Sequence, residues 1–413
     1  MLKEIAVDET QAEDLENAAA RKNAVLLSIC QALSGSSSPL SVALGGIVGS
    51  YLLAGDKILA TLPVTGFTLG VALTSVPAAL LMRRIGRRRG FMSGALVGML
   101  GMALAVTAIT AQMFWLFVVA LLAIGAANSF TQQYRFAAAD RGTAEFKAKA
   151  ISWVLAGGVA ASLIGPQMIL FFSDFLAPIP FAGAFLWGTA LFSLSILAML
   201  FLEPGHPPRS AEEIANKKSR PLSELAAEPK FLVAVFCATG SYAIMAFIMT
   251  AAPLAMLSDG FNVHHSTWGI QWHVLAMFAP SFFTGNLVAR FGKSRIIATG
   301  LFLLIAAALV GINGVSLAHY YLGLILLGIG WNFGFIGSTV LLTETYEPHE
   351  RSKAQGANDF IVFSTVAFAS LMSGVTLNHW GWFFLNGLVL PIALLCLASL
   401  GWLAAKSQVM VQR

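Results

Sequence analysis

Apolar runs long enough to cross a lipid bilayer recur twelve times along this chain, and no other feature limits its fold so severely. A hydrocarbon layer roughly 30 Å thick needs about 20 helical residues. Runs of that order occupy residues 24–50, 58–82, 90–110, 112–134, 149–172 and 180–202, then 230–257, 267–289, 295–313, 317–342, 355–376 and 380–404. Lipid offers the backbone no hydrogen-bond partners, so such runs must close their own bonds as helices. The expected fold class is an all-α membrane protein of twelve transmembrane helices. Composition agrees: 57% of residues are apolar, 11% are charged and the mean hydropathy is +0.76, whereas soluble domains carry about 25% charged residues.

Charge orients the chain. Of its 25 Lys and Arg residues, all but Lys57 fall on one side of a twelve-pass topology. That side holds Arg83, Arg84, Arg87, Arg88 and Arg89, then Arg135 to Lys149, then Arg209 to Lys230; the opposite loops carry Asp56, Lys57, Asp174 and Asp259. Positive residues in short loops stay cytoplasmic, so both termini are expected there. The net charge of +5 follows from this bias, and basic residues held in tight inter-helix turns do not make a nucleic-acid surface. The first 22 residues lack the basic start and short apolar core of a cleaved signal peptide and are expected to form a cytoplasmic tail with a helical turn or two. Cys30, Cys237 and Cys396 lie inside apolar spans, which suggests neither disulfide nor metal site. The absence of glycosylation sequons from the outer loops suits a bacterial inner membrane.

The chain also repeats itself. Ala79 to Arg88 after the second span matches Gly285 to Ser294 after the eighth, with Gly86 and Gly292 lying 206 positions apart. Lys147-Ala-Lys149-Ala150 and Arg351-Ser-Lys353-Ala354 open the fifth and eleventh spans at an offset of 204. An even number of spans per half makes the repeats parallel. The expected organisation is a tail over 1–22, a six-helix bundle over 23–202, a cytoplasmic linker over 203–229, a second bundle over 230–405 and a tail over 406–413, with one copy sufficient for function.

Twelve spans in two halves, a long central loop and the pattern G-x-x-x-D-[RK]-x-G-[RK]-[RK] between the second and third spans resemble the major facilitator superfamily. The resemblance implies transport of a small organic solute across the bilayer by alternating access. The family's Asp is Arg83 in the first copy and Ala289 in the second, and its first Gly is Ala79. The lock which that Asp helps to build must therefore be made differently here. Gly165-Pro166 is similar to part of the family's antiporter motif, but Ile169 stands where a Gly is expected. The stretches Gln133 to Asp140, Trp272 to Pro280 and Thr343 to Tyr346 resemble a bacterial branch that includes a riboflavin importer. This implies riboflavin uptake, with proton-coupled efflux of drugs or metabolites as the alternative and a membrane-embedded sensor or enzyme as a second one. No Walker loop, nucleophile elbow or H-E-x-x-H signature accompanies the spans, so the residues suggest neither an enzyme nor a cofactor.

Polar residues at lipid depth are costly unless paired, so they face the bundle interior and mark candidate sites. The substrate candidates are Gln31 and Ser36 in the first span, Asn128 and Gln132 in the fourth, Tyr242 in the seventh, Gln271, Trp272 and His273 in the eighth, and Trp331 and Asn332, beside Phe333, in the tenth. For Ser36 and its neighbours close helix packing is the competing reading. His273 is the one deep histidine; its ordinary pKa of about 6.5 suits a proton switch, and the competing reading is a neutral imidazole bonded to a neighbouring helix. Pro280 should kink the eighth span. Asp359, near the start of the eleventh span, could meet the Arg83–Arg84 cluster in place of the missing motif Asp, with proton carriage as the competing reading. Arg135 and Glu344 end the fourth and tenth spans, where a salt bridge between halves would shut the inner mouth; solvated anchoring at the membrane edge is the competing reading.

Overall fold

The structure is a computed structural model describing residues 2–53, 55, 57–138, 140, 144–203, 220–347 and 350–411. Asp56, Arg209 and residues 204–219 of the expected linker therefore lie outside the described residues, as do the last two residues of the C-terminal tail. Helices, turns and bends make up the described residues, with no strand among them.

In chain order the helices are α1 (Leu2–Gly35), α2 (Ser37–Leu52), α3 (Leu62–Ile85), α4 (Arg87–Thr110), α5 (Phe114–Thr131), α6 (Tyr134–Ala138), α7 (Ala144–Phe172) and α8 (Ala182–Met199). Within the expected linker lies α9 (Leu222–Ala227), and then come α10 (Pro229–Ser258), α11 (Val263–Phe278), α12 (Ser281–Phe291), α13 (Lys293–Asn313), α14 (Leu317–Thr343), α15 (Arg351–Gly387) and α16 (Val389–Val411). From Leu2 onward the N-terminal tail is helical, rather than for a turn or two. Its Glu- and Ala-rich sequence consists of good helix formers and runs into the first span as α1.

Among the described residues, ten helices are long and apolar enough to cross a membrane, or eleven when α11 and α12 count as one bent span. The break expected at Pro280 is present: α11 ends at Phe278, α12 starts at Ser281, and the two are bent by 44°. One candidate span runs from Lys353 to Lys406, and within it Gly381 has non-helical φ 77° and ψ −179°.

The two motif copies end in the same turn. Gly86 caps the N-terminus of α4 with φ 83° and ψ 159°, and Gly292 caps α13 with φ 86° and ψ 145°. Only glycine enters this region without strain, which is why the chain keeps a glycine at both positions.

Contacts divide the chain into two units. The first comprises residues 1–40 and 73–207, the second residues 41–72 and 208–413. In the first, α1 packs along α7 and α8, and α4 along α5 and α8. In the second, α13 lies along α14, while α10 packs on α14 and α15. A Cβ on Gly300 would fall 2.3 Å from the Gly334 nitrogen, so α13 and α14 meet backbone to backbone, as small residues permit in membrane bundles. Residues 41–72 join the second unit through small groups: Thr65 donates to Ser370 at 3.4 Å, and a Cβ on Gly374 would meet the Thr61 hydroxyl at 2.3 Å.

Candidate functional site

The second unit gathers rings from four helices. Trp331 and Phe335 are four residues apart on α14, so their side chains share one helix face. They stack at 5.3 Å between centroids with planes 12° apart. Tyr242 of α10 stands edge-on to both, at 5.2 Å and 5.1 Å, and meets Phe363 of α15 at 5.8 Å. Phe278, the last residue of α11, approaches Trp331 edge-on at 6.4 Å. Ala238, Ala246, Val362 and Val366 form the buried floor beneath Tyr242 and Phe335. Edge-to-face and offset packing is the favoured geometry for such rings. The Trp331 Nε1 is buried without a hydrogen-bond partner among the described residues. An unpaired buried N–H costs free energy. A ligand acceptor brought to this cluster could accept a hydrogen bond from that N–H.

Of the sequence candidates, Tyr242 and Trp331 are thus in contact. Asn332, one residue on, closes the break between α11 and α12. Its Nδ2 donates to the Met277 carbonyl and to Ser281 Oγ, each at 2.7 Å, and its Oδ1 accepts from Thr284 at 2.6 Å. Both amide protons are thereby used inside the protein, which satisfies a backbone carbonyl freed where the helix breaks.

His273 is completely buried, and its Nδ1–H donates to the Leu324 carbonyl of α14 at 2.7 Å. The carbonyl can only accept, which fixes the proton on Nδ1 in the neutral ring and turns Nε2, which has no partner among the described residues, into an acceptor. Gln271 is buried as well, whereas Trp272 is 43% exposed.

In the first unit Gln132 donates to Asn128 at 3.2 Å, one turn back on α5. Gln31 lies against Gly157 of α7. The Ser36 hydroxyl turns back to the Leu33 carbonyl at 2.6 Å, and a Cβ on Gly165 would fall 2.5 Å from the Ser36 carbonyl. This part of α1 and α2 is closely packed on α7.

Arg83 and Arg84 are exposed in the last turn of α3, where positive charge favours the helix dipole. Arg135 is exposed, its guanidinium 4.8 Å from the Phe136 ring centre. Glu344 follows the C-terminal end of α14, where a negative charge is unfavourable. Lys230 of α10, at 2.5 Å, and Lys293 of α13 both donate to it. Partial desolvation would raise its carboxyl, but the two ammonium donors prevail and hold it below the usual carboxylate range. Asp359 is exposed on α15 and accepts from its neighbour Asn358 at 3.1 Å.

Sequence reading missed Phe335, Phe363 and Phe278. The spacing of four from Trp331 could have found Phe335 in place of Phe333; the others come from separate helices. It also missed a pairing shared by the two motif copies. Arg87, directly after Gly86, donates to Asp140 at 3.0 Å, and Lys293, directly after Gly292, donates to Glu344.

The Major Facilitator Superfamily model matches residues 25–264 and 232–409. The chain is 48% identical over 382 residues to the riboflavin transporter RfnT of Brucella anthropi, covering 92% of this chain and 96% of that protein. It is 29% identical to the MFS-type transporter YddS of Bacillus subtilis, over 92% of this chain and 91% of the relative. Among solved structures, the human organic anion transporter MFSD10 aligns with a TM-score of 0.64 at 15% identity, covering 92% of this chain and 99% of that one, and the nucleoside transporter NupG with 0.64 at 14%, covering 91% and 98%. At such identities the two structures speak for the fold alone. Matched along nearly its whole length by the family's model and by a relative at 48% identity, the chain belongs to the Major Facilitator Superfamily of membrane transporters.

Proposed function

We propose that this transporter carries riboflavin into a bacterial cell across the inner membrane. The observation that carries the reading is its 48% identity with RfnT over nearly the full length of both proteins. The aromatic cluster of Tyr242, Trp331, Phe335 and Phe363 supports it. An isoalloxazine ring is planar, has π-faces to stack and carries carbonyl and ring-nitrogen acceptors for the Trp331 N–H.

The remaining features of the proposal are twelve spans, cytoplasmic termini, and halves over 23–202 and 230–405 that act as a monomer by alternating access about a central site. The count of twelve is supported by the 54-residue stretch Lys353–Lys406. At 1.5 Å per residue a straight helix of that length would be about 80 Å long, more than twice the hydrocarbon thickness, and Gly381 supplies the turn between two spans. Proton coupling through His273, and gate charges drawn from Asp359, Glu344, Arg83, Arg84 and Arg135, belong to the same proposal. Asp359→Asn should slow turnover if that carboxylate serves the gate.

Growth of a riboflavin auxotroph expressing the protein tests the substrate. The wild type should rescue growth at low vitamin concentration. Trp331→Leu should need roughly 5- to 150-fold more riboflavin, the equivalent of a lost stacking contact of about 1–3 kcal/mol. Rescue by Trp331→Leu at the wild-type concentration would remove the cluster from the site, and no rescue by a membrane-inserted wild type would remove riboflavin.

A further inference from the structure

Outside the proposed site, one guanidinium is hydrogen-bonded at all three of its nitrogens. Arg220 stands near the end of the expected linker, just before α9. Its guanidinium donates through Nε to Glu350 Oε1 at 2.9 Å and through Nη2 to Glu350 Oε2 at 2.8 Å, a bidentate fork. Nη1 donates to Glu228 at 2.5 Å and Nη2 also to the Thr345 carbonyl at 3.2 Å. Its backbone is held as well: the amide donates to Glu350 Oε1 at 3.0 Å, and the carbonyl accepts from Lys353 Nζ at 2.7 Å.

Glu350 is 1% exposed. Its carboxylate accepts a further bond from the Glu347 amide at 3.0 Å. Arg220, followed by that amide, holds the carboxyl down to about 2, and the Arg220 guanidinium is pushed up in turn, first by Glu350 and then by Glu228. Beside the cluster Leu225 of α9 is completely buried. A carboxylate this enclosed is tolerable only while its partner stays, so the contact is held as one unit.

We propose that Arg220 is a latch, fastening the C-terminal end of the linker to the loop between α14 and α15 and ordering that loop at Thr345 and at Glu350. The Thr345 carbonyl it grips adjoins Glu344, which ties α14 to Lys230 and Lys293. The order of the linker's end thus passes through one peptide to the joined ends of α10, α13 and α14. At its other end the linker is fastened within the first unit: Asn23 exchanges two hydrogen bonds with the Glu203 backbone, at 3.1 Å and 2.9 Å, and Lys22 pairs with the Glu203 carboxylate at 3.0 Å.

Hydrogen–deuterium exchange on the full-length protein in nanodiscs tests the latch. Arg220→Ala should raise exchange about ten-fold or more both in residues 221–228 and in residues 345–353, because one change opens both partners. Glu350→Gln should do the same, and the double variant should add nothing further. A rise confined to 221–228, or effects that simply sum, would overturn the proposal. Should Arg220→Ala fail to accumulate, Arg220→Lys decides: it keeps the charge and loses the fork, so both segments should still exchange faster, and an unchanged 345–353 would overturn the latch.

Discussion

The stretch around Gly86 and the stretch around Gly292 begin alike and end differently. Each glycine has the same left-handed φ, caps the helix that follows it, and precedes a basic residue that pairs with an acid beyond a later helix: Arg87 with Asp140, Lys293 with Glu344. There the likeness stops. Asp140 is bonded to Arg87 near the short helix α6, whereas Glu344 binds a second cation, Lys230, and adjoins the Thr345 carbonyl gripped by Arg220. The shared part is what a tight turn between antiparallel helices requires. The divergent part gives the second copy a cross-tied rim joining three helices, with the linker fastened beside it.

The largest expected effect tests the shared part. Valine at Gly86 or at Gly292 would have to adopt a positive φ, at a cost of about 1–3 kcal/mol. No neighbour lies within 4 Å of either Cβ position, so backbone strain alone sets the loss. Gly86→Val and Gly292→Val should lower the melting temperature of the purified protein by similar amounts, and a silent variant at either site would break the equivalence. A smaller effect tests the divergence. Glu344→Gln removes a carboxylate with two cationic partners and Asp140→Asn removes one bonded to Arg87; the pairs are partly exposed, so losses of about 1 kcal/mol and about half that are expected. Chemical denaturation should rank them in that order, and equal losses would mean that Lys230 adds nothing.

The smallest expected effect is in pH. Glu344 and Glu350 both have lowered folded-state values. Their stabilisation is therefore fully present above the ordinary carboxyl value near 4.5 and is lost only as pH falls through the depressed values, down to about 2 for Glu350. The melting temperature should stay flat between pH 8 and pH 5.5. A transition near pH 6.5 would instead assign the dependence to a histidine.

The spans were legible because lipid imposes a length and a composition on them, and the bend at Pro280 because the ring removes a backbone donor. The turn glycines were legible as a repeat 206 residues apart. The partners of charged residues were not: the family pattern directs attention to position 83, while the pairing seen in the first copy is that of Arg87 with Asp140, 53 positions on. Asn332 could be read as deep and polar, yet its use as the tie across a broken helix depends on where Met277 and Ser281 fall in space. The aromatic cluster was half legible for the same reason. Spacing on α14 relates Phe335 to Trp331, and only packing brings Tyr242 and Phe363 to them.

The central claim is transport of riboflavin without chemical change, and uptake of labelled riboflavin into proteoliposomes containing only this protein tests it most directly. Saturable entry above protein-free vesicles is expected, with unaltered riboflavin recovered inside and with uptake reduced in Trp331→Leu. Wild-type vesicles that exchange another solute but admit riboflavin no faster than protein-free vesicles would contradict the account.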